Sequence, residues 1–506
     1  MSEPSQSATS RQAPTPDRRY ERLTLVIVFA AVMMTAIDTT AVILALPTML
    51  TDLQTNVITG IWIIMAYLLV LATLGTQVGR LGDMFGRVRM FNAGFFVFTA
   101  ASLLCALATN GTEIIAFRAI QGVGGAMVFA NSGAIIADTF PPQQRGRAYG
   151  LTGVGYSTGA ILGILLGGVL TTFVSWRAIF LLNLPVGIIT GLVGYRILRE
   201  RSPLVSRKLD LEGMALLAAG LVLMLGALTY IAGFGWSTIL GIEIVAGAAS
   251  IVGFVVWEAR FARAPLLDLG LLKRRTLTAS IFAAFFQATA NLAVLFVVIM
   301  YLQGVRGLSP FSSSVLLVPG YIIGAGVAPF AGRSSDRHGA RLIASIGLIV
   351  MAAGIFVYAS LSSTSALGFV VLGSVISGIG NSTFYPSNNS EVMTAAPPGS
   401  YGVTSGLLRM FTNIGTVCSF AIALLVVSLA IPRQAAFAIF LGVRVLDPAH
   451  FGAFVSGMHA VLYVAVGFVV VALVLSVIRG RREVPPAGPP GSNLAYRSDP
   501  SDARPR

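Results

Sequence analysis

Apolar runs recur along almost the whole chain, with short polar stretches between them. A helix needs about 20 apolar residues to cross the hydrocarbon core of a bilayer, and these runs are long enough. The composition agrees, because 55% of the 506 residues are hydrophobic and 11% are charged. We therefore predict an all-α membrane protein of about 14 spans. The predicted spans are residues 24–50, 58–78, 90–109, 113–138, 148–172, 178–197, 213–233, 239–259, 277–302, 311–331, 341–361, 366–394, 402–430 and 452–479.

Basic residues are concentrated in alternate loops, and this predicts the orientation of the chain. They follow the second, fourth, sixth, eighth and tenth predicted spans: Arg80, Arg87, Arg89, Arg145, Arg147, Arg199, Arg201, Arg207, Lys208, Arg260, Arg263, Lys273, Arg274, Arg275, Arg333, Arg337 and Arg341. The exceptions in the other loops are Arg177, Arg306, Arg433 and Arg444. Because basic loops remain on the cytoplasmic side, we expect a cell-membrane protein with both termini in the cytoplasm. The polar ends, residues 1–23 and 481–506, are predicted to be disordered tails.

A constant offset relates two parts of the chain. Adding 253 takes Gly79, Asp83 and Gly86 to Gly332, Asp336 and Gly339, and adding 256 takes Gly122, Gly124 and Gly159 to Gly378, Gly380 and Gly415. The offset predicts two homologous halves, an organisation that is typical of transporters working about a central site. The predicted divisions are residues 24–200 for an N-terminal six-helix bundle, 201–276 for two inserted helices with basic linkers, and 277–480 for a C-terminal six-helix bundle.

Several other classes of protein are disfavoured by the same sequence. The net charge is +14, but the basic residues form short clusters between apolar runs, and nucleic-acid binding needs a continuous basic face. Cys105 and Cys418 lie inside apolar runs, where a buried free thiol is expected. No metal-ligand spacing and no phosphate-binding loop after a strand is found. We therefore expect no enzyme activity, no cofactor, no metal and no nucleic-acid partner.

Five motifs resemble one family. GRLGDMFGRVR at residues 79–89 resembles the cytoplasmic signature of the major facilitator superfamily. The others resemble motifs of that superfamily or of its fourteen-span drug:proton antiporter branch: IDTTAVILALP at 37–47, RAIQGVGGA at 118–126, WRAIFLLNLPVG at 176–187 and YLQGVRGLSP at 301–310. The resemblance covers nearly all of the chain between the tails. It implies the major facilitator fold, with two six-helix bundles and two additional transmembrane helices, and export by alternating access.

The fifth span departs from the motif of that branch. Ile164 stands where the family motif has a proline, so the kink that a proline favours is not expected at this point. Four glycines survive at a four-residue spacing, and this stripe predicts close helix packing. They are Gly155, Gly159, Gly163 and Gly167.

Asp38 and Arg118 are the predicted proton-coupling residues. Both lie inside predicted spans, where a charged group is costly unless it is paired, hydrated or protonated. In the resembled branch an arginine at the position of Arg118 assists proton transfer, and since a guanidinium stays charged, its role would be to tune a carboxylate or a water. The alternative is a structural role, with Asp38 capping a helix break or permanently paired. The counterparts Asn291 and Ser374 are uncharged, so the predicted coupling site belongs to the N-terminal half.

The repeated loop is the predicted gate. Asp83, Arg87 and Arg89 in the first copy and Asp336 in the second are expected to latch the cytoplasmic side, and flanking glycines permit a tight turn. The alternative for such a charge run is a solvated face. Glu391 and Arg409, on either side of a short turn, form a predicted ion pair near the inner face.

The predicted substrate pocket lies between the two halves. Its candidate residues are Trp62, Tyr67, Phe285, Gln287, Asn291, Asn381, Phe384, Tyr385, Asn388 and Asn413. Aromatic groups with few polar neighbours and one acid suit amphipathic compounds or organic cations. We therefore predict a proton-coupled multidrug efflux transporter, with a small amphipathic molecule, protons and membrane lipid as its partners, acting as a monomer. The alternatives are an exporter or flippase of a lipid or metabolite, and a sensor or scaffold that transports nothing.

Overall fold

The structure is a computed structural model, and it describes residues 18–140, 142–201, 204, 209–262, 265–267, 269–397, 401–431 and 451–479. These residues form 14 long helices, which we number α1 to α14. Their bounds are α1 Arg18–Asp52, α2 Val57–Phe85, α3 Arg87–Leu107, α4 Gly111–Thr139, α5 Pro142–Phe173, α6 Arg177–Ile197, α7 Leu211–Phe234, α8 Thr238–Arg260, α9 Arg275–Met300, α10 Pro310–His338, α11 Ala340–Ala359, α12 Gly368–Ala395, α13 Tyr401–Ala430 and α14 Phe451–Ile478. A single helical turn, Leu269–Leu272, precedes α9, and one π-helical turn, Tyr301–Val305, follows it.

Thirteen of these helices are apolar enough to span a bilayer by length and composition. The fourteenth, α12, has 28 residues and is long enough, but it carries Asn381, Asn388 and Glu391. The described residues contain no β-strand. The chain is therefore an all-α, multi-pass membrane protein, as its apolar runs predict.

The first helix begins at Arg18, before the predicted boundary at residue 24. Tyr20 is buried, and the guanidinium of Arg201 lies 4.1 Å from the centre of its ring. This contact packs the polar start of α1 against the end of the chain segment that follows α6. The prediction of a disordered tail is therefore wrong for residues 18–23, while residues 1–17 and 480–506 lie outside the described part of the chain.

The two copies of the repeated phrase form the same turn. Helix α2 continues through Asp83 to Phe85 and turns at Gly86, whose φ is +108°; α10 turns at Gly339, whose φ is +91°. Such φ values favour glycine, because a β-carbon would clash with the backbone. The predicted loop is thus mostly helix with a turn at one residue, and Asp83 is in the last turn of α2 rather than in a loop.

Corresponding glycines also make corresponding contacts in the two bundles. Gly124 brings α4 against the backbone of Phe98 on α3, and Gly380 brings α12 against the backbone of Met351 on α11. Helices approach this closely only where side chains are small. The first six and the last six helices therefore form two bundles of the same design.

The inserted helices α7 and α8 pack on each other at the side of the molecule. Trp62 on α2 donates a hydrogen bond to Thr229 on α7, with Nε1 and Oγ1 3.3 Å apart. Helix α7 also contacts α13, whereas few residues of α8 are buried. The insert therefore touches one helix from each bundle.

Hydrogen bonds join the two bundles at one end of the molecule. We call the end that carries residues 79–89 the basic end and the opposite end the far end. At the far end, Gln303 in the π-helical turn donates to the carbonyl of Leu44 at 2.9 Å. The amide of Phe311 on α10 donates to Oγ1 of Thr172 on α5 at 3.0 Å. Each of these hydrogen bonds links a residue of the N-terminal bundle to the C-terminal bundle at the far end.

Candidate transport site

Asp38 lies in the interior of α1, and its carboxylate forms an ion pair with Arg118 of α4. Arg118 Nη1 and Asp38 Oδ2 are 2.6 Å apart, and both residues are 0% exposed. Ionised groups rarely lie this deep in a membrane protein unless they are paired. The sequence singled out both residues, and the structure brings them into direct contact.

Three uncharged side chains complete the arrangement: Ser102, Gln121 and Asn183. We call these three residues, together with Asp38 and Arg118, the Asp38 network. The amides of Gln121 and Asn183 donate to Asp38 Oδ1 at 2.9 and 3.0 Å. The same amides reach Ser102 Oγ at 2.7 and 3.3 Å. All five residues are buried. The carboxylate thus accepts hydrogen bonds from three side chains on α4 and α6.

Arg118 has contacts that do not depend on Asp38. Its Nε donates to the carbonyl of Ile63 at 3.1 Å, and its Nη1 also reaches Gln121 Oε1 at 2.5 Å. The guanidinium lies 4.4 Å from the ring centre of Tyr67 and 5.8 Å from that of Phe180. Aromatic faces attract a desolvated cation. Arg118 can therefore stay in place, charged, when Asp38 is neutral.

In the second bundle, the residues that the repeat relates to Asp38 and Arg118 are uncharged. Asn291 on α9 is half-buried, and Ser374 on α12 donates to the carbonyl of Leu317 on α10 at 2.7 Å. Breaking a buried ion pair by removing one partner costs about 3–5 kcal/mol. A proton on Asp38 would neutralise the carboxylate and leave Arg118 as the buried charge, held by the Ile63 carbonyl, Gln121 and the Tyr67 ring. The buried ion pair therefore belongs to the N-terminal bundle alone among these corresponding positions.

At the basic end, Arg87 joins two helices of the N-terminal bundle. Its guanidinium contacts Asp83 Oδ1 at 2.7 Å and Asp138 Oδ1, at the end of α4, at 2.6 Å. The backbone amide of Arg89 donates to Glu200 Oε1 at 2.9 Å, beyond the end of α6. These contacts all hold α2, α3, α4 and the end of α6 together. The side chain of Asp336, the second-copy candidate, lies outside the described part of the chain.

The predicted ion pair between Glu391 and Arg409 does not form in this structure. Arg409 on α13 is exposed, and its guanidinium lies 4.0 Å from the ring centre of Phe129 on α4. Glu391 instead interacts electrostatically with Arg479. The prediction rested on the similar sequence distance of Glu391 and Arg409 from the turn. It is wrong because each helix is rotated so that its side chain faces a different neighbour.

Arg479 is a buried cation that the sequence did not single out. Its Nη1 donates to Asn388 Oδ1 at 2.9 Å and to Ser280 Oγ at 3.2 Å, and its Nη2 donates to the carbonyl of Ala340 at 3.0 Å. Burial lowers the pKa of Arg479 to about 10, and it stays charged at neutral pH. It joins the basic ends of α9, α11, α12 and α14. The only sequence signal was an arginine directly after the last apolar run.

The substrate-pocket candidates divide into two groups. Several are buried or contact other side chains: Trp62 bonds to Thr229, Tyr67 lies on Arg118, Gln287 bonds to Asn381, Phe384 is buried, Asn388 bonds to Ser280 and Arg479, and Phe285 contacts the ring of its neighbour Phe286 on the same helix. The others keep part of their surface free: Tyr385 is 39% exposed, and Asn291 and Asn413 are half-buried. The second group is the better candidate for contact with a substrate.

The glycine stripe of α5 lies along α1. Gly159 leaves room for the backbone of Met33, since an added β-carbon would lie 2.5 Å from the Met33 carbonyl oxygen. Gly155, Gly163 and Gly167 face Phe29, Thr40 and Ala41 of the same helix. Ile164 is buried, and α5 runs as one helix through it. The stripe therefore brings α5 against the helix that carries Asp38.

Two repeated helical bundles of membrane spans, with a buried charge pair inside the first bundle, are typical of a membrane transporter. The chain matches the sequence profile of the Major Facilitator Superfamily over residues 28–420, and it belongs to that family. The fourteen long helices agree with its resemblance to the fourteen-span branch.

Curated relatives are transporters with different cargo in their names. The Riboflavin transporter RibZ of Clostridioides difficile is 28% identical, with 78% of this chain and 85% of the relative covered. The Tetracenomycin C resistance and export protein of Streptomyces glaucescens is 31% identical, with 78% and 73% covered. Multidrug transporter protein MdtP of Bacillus subtilis is 29% identical, with 76% and 71% covered. The family and these relatives are transporters of small molecules, not enzymes.

Solved structures show the same fold. A bacterial homologue of the human lysosomal transporter Spinster, in an inward-facing and occupied conformation, has a TM-score of 0.66. It is 17% identical in sequence, and 92% of this chain and 97% of that chain are covered. At this identity the similarity supports the major facilitator fold.

Proposed function

We propose that the chain is a proton-coupled exporter of amphipathic organic compounds that works by alternating access, with its basic end in the cytoplasm. The observation that carries this proposal is the buried ion pair between Asp38 and Arg118. Burying two charges is costly and adds little net stability, so a role in exchange explains the pair better than a role in folding. The basic loops at one end support the orientation.

The proposed exchange uses the alternative contacts of Arg118. Protonation of Asp38 removes its charge and frees Arg118, which keeps the Ile63 carbonyl, Gln121 and the Tyr67 ring as partners. Substrate binding favours the state in which Asp38 is ionised and paired. Each ligand then shifts the population towards the state that excludes the other, and this couples export to proton entry.

Arg409 refines the proposed cargo. Its guanidinium lies over Phe129 and therefore faces the N-terminal bundle. The side chain is exposed, and it has no carboxylate partner among the ion pairs of the described residues. An exposed cation here repels cationic cargo entering from the basic end. We therefore propose neutral or anionic amphipathic compounds as the cargo in preference to organic cations. The protein is proposed to act as a monomer in the cell membrane.

The test is transport driven by a pH gradient in proteoliposomes, with riboflavin, ethidium and an anionic fluorescent dye as probes. We expect Asp38→Asn to abolish gradient-driven transport of every compound that the wild type moves. Asp52→Asn is the matched control, because Asp52 is an acid at the far end of the same helix, bonded to Trp176 and Arg177. Gradient-driven transport that survives in Asp38→Asn would contradict the proposal.

A second candidate function is transport of a metabolite, which the relative named for riboflavin supports. The same assay distinguishes the two. Transport confined to riboflavin would favour the metabolite, whereas transport of the dyes would favour efflux of varied compounds.

A further inference from the structure

Two acidic side chains of the insert lie together at the basic end, away from the Asp38 network. Asp210 is the N-cap of α7, and Glu258 is in the last turn of α8. They are 4% and 6% exposed, so both are removed from solvent. An oxygen of each carboxyl group lies beside Gly213 in the first turn of α7.

Backbone and ring donors occupy three of the four carboxyl oxygens. Asp210 Oδ1 accepts from Trp257 Nε1 at 2.8 Å and from the amide of Gly213 at 3.0 Å. The two oxygens of Glu258 accept from the amides of Leu266 and Leu267, each at 3.1 Å. The positions of both carboxyl groups are therefore fixed by four donors.

The fourth oxygen has no donor. Asp210 Oδ2 is buried and accepts no hydrogen bond from the described residues. A β-carbon added to Gly213 would clash with this oxygen and lie 3.0 Å from Glu258 Oε1, so the two oxygens converge on one spot. Two ionised carboxylates in contact repel each other strongly away from water, and such pairs retain one proton. A proton on Glu258 Oε1 would supply the donor that Asp210 Oδ2 lacks.

The pair also connects the insert to the gate helix. Gln77 on α2 donates to the backbone carbonyl of Asp210 at 2.9 Å, and Arg80 on α2 donates to the carbonyl of Pro265. Pro265 immediately precedes the two amides that bind Glu258. The segment 265–267 and the start of α7 are thus both held against α2, two turns before Gly86.

We propose that Asp210 and Glu258 share one proton and form a proton-binding site that fastens the inserted helix pair to α2, separate from Asp38. The charged side chains on the elements that pack here are Arg80 on α2, Glu212 in the first turn of α7 and Arg260 in the last turn of α8. Loss of the shared proton would place two negative charges in contact and weaken the attachment. The site does not depend on transport, so its test is independent of the exporter proposal.

Asp210→Asn mimics the protonated pair at every pH, because the asparagine side chain is uncharged and can donate a hydrogen bond. Its amide oxygen can accept from Trp257 and Gly213, its NH₂ group can donate to Glu258, and asparagine is as good an N-cap as aspartate. Glu258→Gln removes the other acid. Glu212→Gln is the control, because Glu212 is an exposed acid on the same turn of α7.

The direct measurement is infrared absorption of protonated carboxyl groups in the purified full chain, titrated with pH. We expect a wild-type carboxylic-acid band at neutral pH that Asp210→Asn and Glu258→Gln each remove and that Glu212→Gln leaves. A band unchanged in both pair variants would overturn the proposal, and so would the lack of a wild-type band.

The pH dependence of thermal unfolding in detergent is a second test. A folded state that holds a proton which the unfolded chain has released loses stability as pH rises. We expect the wild-type melting temperature to fall as pH rises through the titration of the band, and Asp210→Asn to abolish that part of the fall. An equal pH dependence in wild type and Asp210→Asn would overturn the proposal even if the variant is less stable overall.

Discussion

Asp38 accepts hydrogen bonds from Arg118, Gln121 and Asn183, and the sequence singled out only the charged donor of the three. A charge in an apolar run stands out because its burial is costly. An uncharged amide does not, since it also serves packing and helix contacts in membrane bundles. Gln121 and Asn183 were within motifs that resemble the family, so a signal was present. Their convergence on Asp38 depends on the rotation of α4 and α6, which a single sequence does not specify.

The ion pair makes a prediction about stability. Arg118→Leu leaves Asp38 as a buried, unpaired charge, and we expect it to destabilise the protein by about 3–5 kcal/mol. Adding Asp38→Asn removes that charge, so the double variant should recover part of the loss in a double-mutant cycle of thermal unfolding. Arg196→Lys, at an exposed position of α6, is the control. Strictly additive losses would show that the two side chains are not energetically coupled.

Helices were predicted more accurately than their ends. All fourteen predicted spans correspond to long helices, but α1 and α2 extend beyond the apolar runs, to Arg18 and Phe85. Hydropathy marks the part of a helix inside the membrane, whereas backbone hydrogen bonds continue into polar sequence until a residue such as Gly86 stops them. This is why Asp83 and Arg87 pair across a turn that was expected to be a loop.

Close packing of α5 on α1 gives a prediction at the scale of these elements. Gly159→Leu should lower the melting temperature and expression of the folded protein, because its side chain would meet the backbone of Met33. Overpacking of this kind costs about 1–3 kcal/mol or more. Gly326→Leu on α10 is the control, since an added β-carbon there has no neighbour within 4 Å. Equal effects of the two substitutions would contradict the packing argument.

At the scale of the whole molecule, the repeat predicted two bundles. It did not predict the contacts between the bundles at the far end. The repeat relates each residue of one half to a counterpart in the other, so it carries information about how each half folds. Contacts such as Gln303 with Leu44 and Phe311 with Thr172 join residues that have no repeat relation. They also belong to one state of a protein that we propose moves between two.

The far-end contact makes a prediction about that movement. Thr172→Cys combined with Phe311→Cys places one thiol on each bundle, at the two residues that the hydrogen bond from the Phe311 amide to Thr172 joins. We expect oxidation of the double variant to stop transport and a reductant to restore it, because the far end must open to release cargo. Each single variant is a control. Full transport by a variant shown to be cross-linked would rule out opening at this end.

The most direct test of the central claim is proton release by purified protein in weakly buffered detergent, followed with a pH-sensitive dye. The account predicts that adding a transported compound releases protons from the wild type and from Asp210→Asn, and that Asp38→Asn releases none. Equal proton release from wild type and Asp38→Asn would contradict the claim that substrate and proton compete through Asp38.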